Sequence, residues 1–152
     1  MLLTNEAELA GLPQNIRDAA AAKAKSKGKE GWMFDLSAPS YIAFMKYSSN
    51  RDLRKKLYVA YSTKCVAGGE FDNQENVKEI VKTRLQIANL LGYTDYASYV
   101  LRNKMAKDKE HVYELLNNLF DAYAVAARED VKQVEGFAVG MEGKSIDLQP
   151  WD

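Results

Sequence analysis

Apolar residues recur at steps of three and four along a long segment that runs from Asp108 to about Val139. They are Val112, Leu115, Leu116, Leu119, Phe120, Tyr123, Ala126, Ala127, Val131, Val134 and Ala138. This spacing predicts one α-helix with a single apolar stripe. Asp108 is the expected N-cap, and Gly140 is the expected left-handed residue at the C-terminal end. The helix would be roughly 45–50 Å long, and we expect shorter helices to stack along it.

Helical periodicity and capping residues predict several shorter helices before this segment. They are a turn from Asn5 closed by Gly11, a helix from Pro13 to Gly28, a helix after Pro39 that carries Tyr41 and Phe44, a helix capped by Asn50, a helix from Asp72 to Gly92, and a helix capped by Thr94 that reaches Met105. Asp72 and Glu75 resemble a capping box. The helix that they begin should bury Val77, Ile80, Val81, Leu85, Ala88 and Leu91. The pattern as a whole predicts an all-α protein.

One short strand interrupts this helical pattern. Trp32, Phe34 and Leu36 alternate with other residues between Gly31 and Leu36, which places them on one face of an extended segment. A lone strand needs a partner. The weak strand Ile146–Leu148 is one candidate, and a segment outside this chain is the other. After Gly140, residues 141–152 are expected to form an extended tail.

Composition limits the classes of protein to which the chain can belong. Of 152 residues, 47% are hydrophobic and 28% charged, which is typical of a globular protein. Acidic and basic residues both number 21, so nothing favours binding to nucleic acid. Lys23, Lys25, Lys27 and Lys29 are interpreted as a solvated helix face. No apolar run reaches the length of a membrane span. The lone Cys65 fits a reducing compartment, so we expect a cytoplasmic protein, or a periplasmic one if a signal peptide precedes this sequence.

His111 is the only histidine, and it decides which metal chemistry is available. A zinc site of the H-E-x-x-H type needs two imidazoles on one helix face. Glu110 and Glu114 could add oxygen ligands, but no second nitrogen or thiolate ligand is present beside them. We therefore interpret His111 as a surface residue in the first turn of the long helix and expect no metal ligand in this chain.

The other reactive groups also lack the partners that catalysis requires. Cys65 follows Lys64, whose charge could lower the pKa of the thiol, but no base can be placed beside it. Glu129 and Asp130 are adjacent on a helix and point apart. The Gly68-Gly69 pair lacks the lysine of a phosphate-binding loop. We expect no catalytic residue and no cofactor-binding residue in this chain.

Tyrosines are concentrated in the middle of the sequence. Seven of the nine are Tyr41, Tyr47, Tyr58, Tyr61, Tyr93, Tyr96 and Tyr99. Half-buried tyrosines in a helical core account for them most economically. The alternative is the wall of a groove, in which the phenol groups would hydrogen-bond an extended peptide.

Nine segments resemble the thimet oligopeptidase family of zinc metallopeptidases, and in particular its bacterial peptidyl-dipeptidase (dipeptidyl carboxypeptidase) branch. They are Glu8-Leu9-Ala10-Gly11-Leu12-Pro13, Gly31-Trp32-Met33-Phe34, Pro39-Ser40-Tyr41 through Phe44-Met45, Asn50-Arg51-Asp52-Leu53-Arg54, Asp72-Asn73, Leu90-Leu91-Gly92-Tyr93, Tyr96-Ala97-Ser98-Tyr99-Val100-Leu101, Met105-Ala106-Lys107 and Leu148-Gln149-Pro150-Trp151-Asp152. Their order and spacing resemble the family along nearly the whole chain. The loop at Val66–Glu70 is shorter than in the family.

This resemblance implies a mostly helical fold with two lobes flanking a deep channel, in a hydrolase that cleaves short peptides or releases C-terminal dipeptides. It also implies that zinc and the catalytic residues belong to a parent enzyme beyond this chain. Residues 1–152 would then be a non-catalytic middle fragment that supplies scaffold and channel wall. Its expected partners are the missing catalytic part of the same polypeptide and short peptides. The alternative is a free-standing helical protein-interaction module.

A fragment of a larger fold should expose apolar surface. We expect a patch of several hundred Å², or self-association, that involves Trp151 or the strand Trp32–Leu36.

Overall fold

The structure is a computed structural model that describes residues 1–152. It contains six α-helices, one 3-10 helix and one two-stranded sheet, so the predicted all-α class is confirmed. The chain divides into two compact units: unit 1 comprises Met1–Asp72 with Leu148–Asp152, and unit 2 comprises Asn73–Asp147. The description of residues 1–152 as one helical fragment with an extended tail from residue 141 stays a prediction.

Unit 1 holds the N-terminal elements in the predicted order. They are β1 (Leu2–Leu3), the 3-10 helix Glu6–Leu9, α1 (Gln14–Ser26), β2 (Trp32–Met33), α2 (Ala38–Tyr47) and α3 (Arg51–Ser62). The predicted cap Asn50 is present, because its side chain accepts a hydrogen bond from the Leu53 N–H. Asn5 also caps the 3-10 helix, by accepting from the Ala7 N–H. Such caps satisfy backbone donors that the first helical turn leaves free.

The predicted strand is shorter than expected, and both of its candidate partners were wrong. Antiparallel pairing joins β2 to β1, with Leu2 opposite Met33 and Leu3 opposite Trp32. The Phe34 N–H then donates to the Met1 carbonyl at 2.8 Å, and the N-terminal ammonium donates back to the Phe34 carbonyl. A two-residue strand shows no alternation in the sequence, which is why Leu2–Leu3 could not be recognised.

The core of unit 1 is built around two phenylalanines. Phe34, which follows β2, and Phe44 of α2 are both fully buried, with ring centroids 4.7 Å apart in an edge-to-face arrangement. The other buried members of the cluster are Leu3, Leu9, Leu12, Ala20 and Leu57. Helix α1 contributes alanines on its inner face, so it packs closely while adding little apolar area.

Unit 2 contains the last three helices, with boundaries that differ from the prediction. They are α4 (Gln74–Leu90), α5 (Tyr96–Leu101) and α6 (Lys109–Glu142). Asp95, and not Thr94, caps α5 by accepting from the Ser98 N–H. Asp108 caps α6 as predicted, whereas the left-handed C-terminal residue is Gly143 and not Gly140. Helix α5 contacts both α4 and α6.

Asp72 and Glu75 do not form the predicted capping box. The N-cap of α4 is Asn73, and the Asp72 carboxylate instead accepts a hydrogen bond from the Gly68 N–H at 2.6 Å. Asp72 therefore closes the loop before α4.

The apolar stripes of α4 and α6 are largely exposed. Of the six residues that α4 was expected to bury, only Ala88 is buried. No residue of α6 is buried. We call the exposed apolar face of this helix the α6 stripe, which comprises Leu115, Leu116, Leu119, Phe120, Tyr123, Val131, Val134, Phe137 and Met141.

The C-terminal residues are fixed to α3 by two arginines. Arg51 donates through Nε and Nη2 to the two carboxylate oxygens of Asp152, at 2.7 and 2.6 Å. Arg54 donates to the Trp151 carbonyl at 2.6 Å, to the Ser48 carbonyl at 2.8 Å and to Asp152 at 3.2 Å. The Asp152 side chain is only 8% exposed. Such bidentate, charge-assisted pairs are among the stronger hydrogen bonds in proteins.

The predicted location of exposed apolar surface was wrong. Trp151 is half-buried, with its ring 5.6 Å from that of Tyr58 and the Lys55 ammonium 5.3 Å from its centroid. Trp32 and Leu36 are packed against the buried core cluster of unit 1. The exposed apolar side chains lie mainly on α4 and α6 instead.

We expect Phe44→Ala to destabilise unit 1 by about 3–5 kcal/mol, because it leaves a cavity in the centre of the core. Phe71→Ala is the matched control: Phe71 is 76% exposed, so its loss should change the free energy of unfolding by less than about 0.5 kcal/mol. Both tryptophans lie in unit 1, and their fluorescence in urea therefore measures this unit. Equal effects of the two substitutions would show that Phe44 is not a core residue.

Asp152→Asn should destabilise unit 1 in a pH-dependent way. The hydrogen bonds from Arg51 outweigh desolvation and lower the pKa of Asp152 from 3.8 to about 2. Because the folded-state pKa is lowered, the stabilisation is complete above the unfolded value and is lost as the pH falls through the folded value. The difference in unfolding free energy between the two proteins should therefore be present near neutral pH and disappear towards pH 2. Asp121→Asn, at an exposed position of α6, is the control; a pH-independent difference for Asp152→Asn would contradict the assignment.

Candidate functional site

His111 lies at the surface, as the sequence predicts. It is in the first turn of α6, its side chain is 59% exposed, and its Nδ1 is 2.5 Å from Oδ1 of Asp108. The His111 N–H donates to the same carboxylate and, with the imidazole, lowers the pKa of Asp108. No group of three or more His, Cys, Asp and Glu side chains is placed to hold a metal ion. The residues of this chain therefore do not fit a zinc centre.

Cys65 is an exposed free thiol in a left-handed backbone conformation, with φ of 61°. The Lys64 ammonium lies 3.8 Å from the centroid of the Tyr61 ring and 3.5 Å from the Leu36 carbonyl oxygen. The cation next to Cys65 in sequence therefore has an aromatic face and a carbonyl as partners. Gly68 and Gly69 also have positive φ, and they form the loop that Asp72 closes.

The tyrosines that are close in sequence separate into the two units. In unit 1, Tyr41 of α2 stacks on Tyr61 of α3, with centroids 3.9 Å apart and planes 17° apart. Burial is the main reason that the pKa of Tyr41 is raised, and the neighbouring phenols Tyr58 and Tyr61 add to it. Tyr41, Tyr58 and Tyr61 are half-buried. For these three residues, the arrangement agrees with the interpretation that they are half-buried tyrosines of a helical core.

In unit 2, three half-buried tyrosines are surrounded by two arginines. Tyr99 lies 5.5 Å from Tyr93 and 5.9 Å from Tyr96, measured between ring centroids. The Arg102 guanidinium lies over both Tyr93 and Tyr99 and donates to the Tyr93 hydroxyl at 2.8 Å. Arg84 of α4 lies 5.3 Å from the Tyr96 ring. The sequence analysis considered the tyrosines without these arginines, although Arg102 caps the C-terminal end of α5 only three residues after Tyr99; Arg84 lies on a different helix, α4.

Asp95 joins the N-terminal turns of α5 and α6. It accepts from the Ser98 N–H at 2.8 Å and from the Lys109 ammonium at 2.8 Å. The bond from Lys109 is the main reason that the pKa of Asp95 is lowered, and the same pair raises the pKa of Lys109. Both side chains are more than a third exposed, so this pair orients the helices more than it stabilises them.

A small cavity in unit 1 opens between α1, β2 and the start of α2. Its volume is about 220 Å³, and it is lined by Ile16, Ala19, Ala20, Lys23, Met33, Phe34, Ser37, Pro39 and Ser40. Lys23 and Asp35 form an ion pair beside it, and that bond holds the pKa of Asp35 well below its usual range. This ion pair was not predicted, because the sequence places Lys23 in a row of lysines that was interpreted as a solvated helix face. The volume is below the roughly 300 Å³ at which ligand pockets begin.

No helix combines the length and the apolar content needed to cross a membrane.

Comparison with known proteins gives relatives for almost the whole chain. It is 36% identical to "Oligopeptidase A" of Haemophilus influenzae over 99% of this chain and 23% of that protein. It is 37% identical to "Oligopeptidase A" of Escherichia coli over the same shares. Identity to "Dipeptidyl carboxypeptidase" of Escherichia coli is 25%, over 100% of this chain and 22% of that protein. The chain thus spans about a quarter of the length of the curated relatives it matches.

The model of peptidase family M3 matches residues 44–152. This range begins in α2, includes α3 to α6 and ends with the residues that the two arginines bind. It covers more than half of the chain, so the chain belongs to peptidase family M3.

Proposed function

We propose that this chain is a helical scaffold and channel-wall part of a zinc metallopeptidase that cleaves short peptides, and that it is not itself catalytic. The observation that carries the proposal is the family M3 match over residues 44–152, in a chain that spans 23% of the similar oligopeptidases. The zinc ligands and the catalytic base would belong to the rest of the polypeptide.

The chemistry of the residues present supports this division of roles. A hydrolytic zinc centre needs three protein ligands and an open position for water. His111 is the one imidazole of the chain, so residues 1–152 alone would lack the second histidine of an H-E-x-x-H zinc site. We therefore propose that no reaction step takes place on this chain's own residues.

Within the family, sequence identity favours an oligopeptidase of the A type over a peptidyl-dipeptidase. The chain is 36–37% identical to two proteins named oligopeptidase A and 25% identical to a dipeptidyl carboxypeptidase. The nine sequence segments had instead suggested the peptidyl-dipeptidase branch. We now propose the oligopeptidase type, which would cleave within short peptides.

The channel-wall role would be served by the tyrosine cluster of unit 2. It combines half-buried aromatic rings with the cationic side chains of Arg84 and Arg102. Phenol and guanidinium groups can hydrogen-bond the carbonyl groups of an extended peptide. We further propose that the protein acts in the cytoplasm, since the exposed free thiol of Cys65 suits a reducing compartment.

The second candidate function is a free-standing helical interaction module. The exposed α6 stripe favours it, because large apolar surfaces often bind other proteins. The two functions differ in whether peptidase activity belongs to the same polypeptide.

We expect purified residues 1–152 to bind no stoichiometric zinc and to leave short peptides intact. The longer polypeptide that we propose contains this chain should bind zinc, and removal of the zinc by a chelator should abolish peptide hydrolysis, because the metal activates the attacking water. Atomic absorption and mass spectrometry of peptide products measure the two effects. Zinc-dependent turnover by residues 1–152 alone would overturn the non-catalytic role.

The type of peptidase can be decided with one peptide in two forms. An oligopeptidase should cleave internal bonds of a short peptide whether its C-terminus is a free carboxylate or an amide. A peptidyl-dipeptidase should release a C-terminal dipeptide from the free acid only. We expect the longer polypeptide to give the same internal products from both forms. Dipeptide release restricted to the free acid would return the assignment to the peptidyl-dipeptidase branch.

A further inference from the structure

We propose that the α6 stripe is the surface against which the remaining part of the family M3 polypeptide packs. This inference rests on the proposed function, because it requires that this chain be part of a longer peptidase. It says which face of α6 is covered, what covers it, and which residues of the helix stay in water.

The stripe is exposed along nearly all of α6. Its nine side chains are between 44% and 73% exposed, from Leu119 at the lower limit to Met141 at the upper. They span residues 115–141, or roughly 40 Å of helix. A row of this length exposes more apolar surface than isolated leucines on an ordinary protein surface, and such rows mark interaction sites.

The opposite face of α6 is polar, so the helix is amphipathic. Glu129 and Lys132 form an ion pair at 3.6 Å on that face. Val125 lies there too, about 140° around the helix from Phe120. The two residues are nearly equally exposed, at 69% and 64%. An occupant of the stripe should therefore cover Phe120 and leave Val125 in water.

The charge of α6 disfavours a second copy of this helix as the occupant. The helix contains three basic and seven acidic residues, which gives it a formal net charge of −4. Two such helices packed side by side would bring like charges together along their flanks, and like charges repel across an interface.

The length of the relatives favours the rest of the polypeptide as the occupant. In both oligopeptidase A proteins, the segment similar to this chain is 23% of the protein. More than three quarters of each relative is thus available to cover the helix that corresponds to α6. An occupant in the same polypeptide also packs without the loss of translational freedom that a separate partner incurs.

Thiol labelling of the longer polypeptide tests whether the stripe is covered. In a Cys65→Ser background, Phe120→Cys and Val125→Cys are compared for their rates of reaction with a maleimide under native conditions. Other cysteines of the longer polypeptide are replaced by serine or followed separately by mass spectrometry. We expect Phe120→Cys to react at least about tenfold more slowly than Val125→Cys, because a covered thiol reacts only when the interface opens. Equal rates would overturn the proposal.

The oligomeric state separates the two occupants. Light scattering of the longer polypeptide at the labelling concentration should give a monomer in which Phe120→Cys is protected. If the protein is a dimer, and Phe120→Asp converts it to monomers while Val125→Asp does not, a second copy covers the stripe and the proposal is wrong. These readouts do not use peptidase activity. A failure of the interface is therefore distinguishable from a failure of the proposed function.

Discussion

An amphipathic helix is stable only when its apolar face is removed from water, and the two units of this chain meet this constraint differently. Unit 1 meets it with its own residues, because Phe34, Phe44, Leu9 and Leu57 are almost fully buried. Helix α6 has 34 residues and no buried one. Most helical stability in proteins comes from packing and not from local propensity. The caps at Asp108 and Gly143 define where this helix begins and ends, but they cannot replace a packing partner.

Unit 1 illustrates how polar contacts complete a fold whose apolar core is small. Arg54 joins the end of α2 to the C-terminal residues, because it binds the carbonyl groups of Ser48 and Trp151 as well as Asp152. These residues are about a hundred positions apart in sequence, so the contact closes a long loop that includes unit 2. Loop closure of this length costs little more than that of a shorter one. The charge-assisted hydrogen bonds from Arg54 can therefore hold the C-terminal residues Trp151 and Asp152 in unit 1.

The sequence predicted helices more reliably than it predicted their ends or their partners. Asn50 and Asp108 were recognised as caps because a single local residue satisfies the first backbone amides. The prediction for Asp72 was wrong, because Asn73 is the N-cap of α4 and the Asp72 carboxylate accepts from the Gly68 N–H within the preceding loop. The prediction that Gly140 ends α6 was wrong, because the helix continues through Gly140 and ends at the left-handed Gly143. The contact between Arg84 and Tyr96 could not be predicted, since it joins α4 to α5, whereas the three-residue spacing of Tyr99 and Arg102 could have indicated their contact.

Periodicity shows that a helix has a partner, but it does not show whether the partner belongs to the same chain. The exposed apolar surface was expected at the tryptophans, which are large, yet Trp32 packs on the core of unit 1 and Trp151 on α3. A better signal was the length of the stripe. Helix α6 is roughly 50 Å long, whereas the other five α-helices have 17 residues or fewer. A helix twice as long as any other in the chain cannot be covered by one of them alone, and the shorter helices that we expected to stack along α6 leave its apolar stripe exposed.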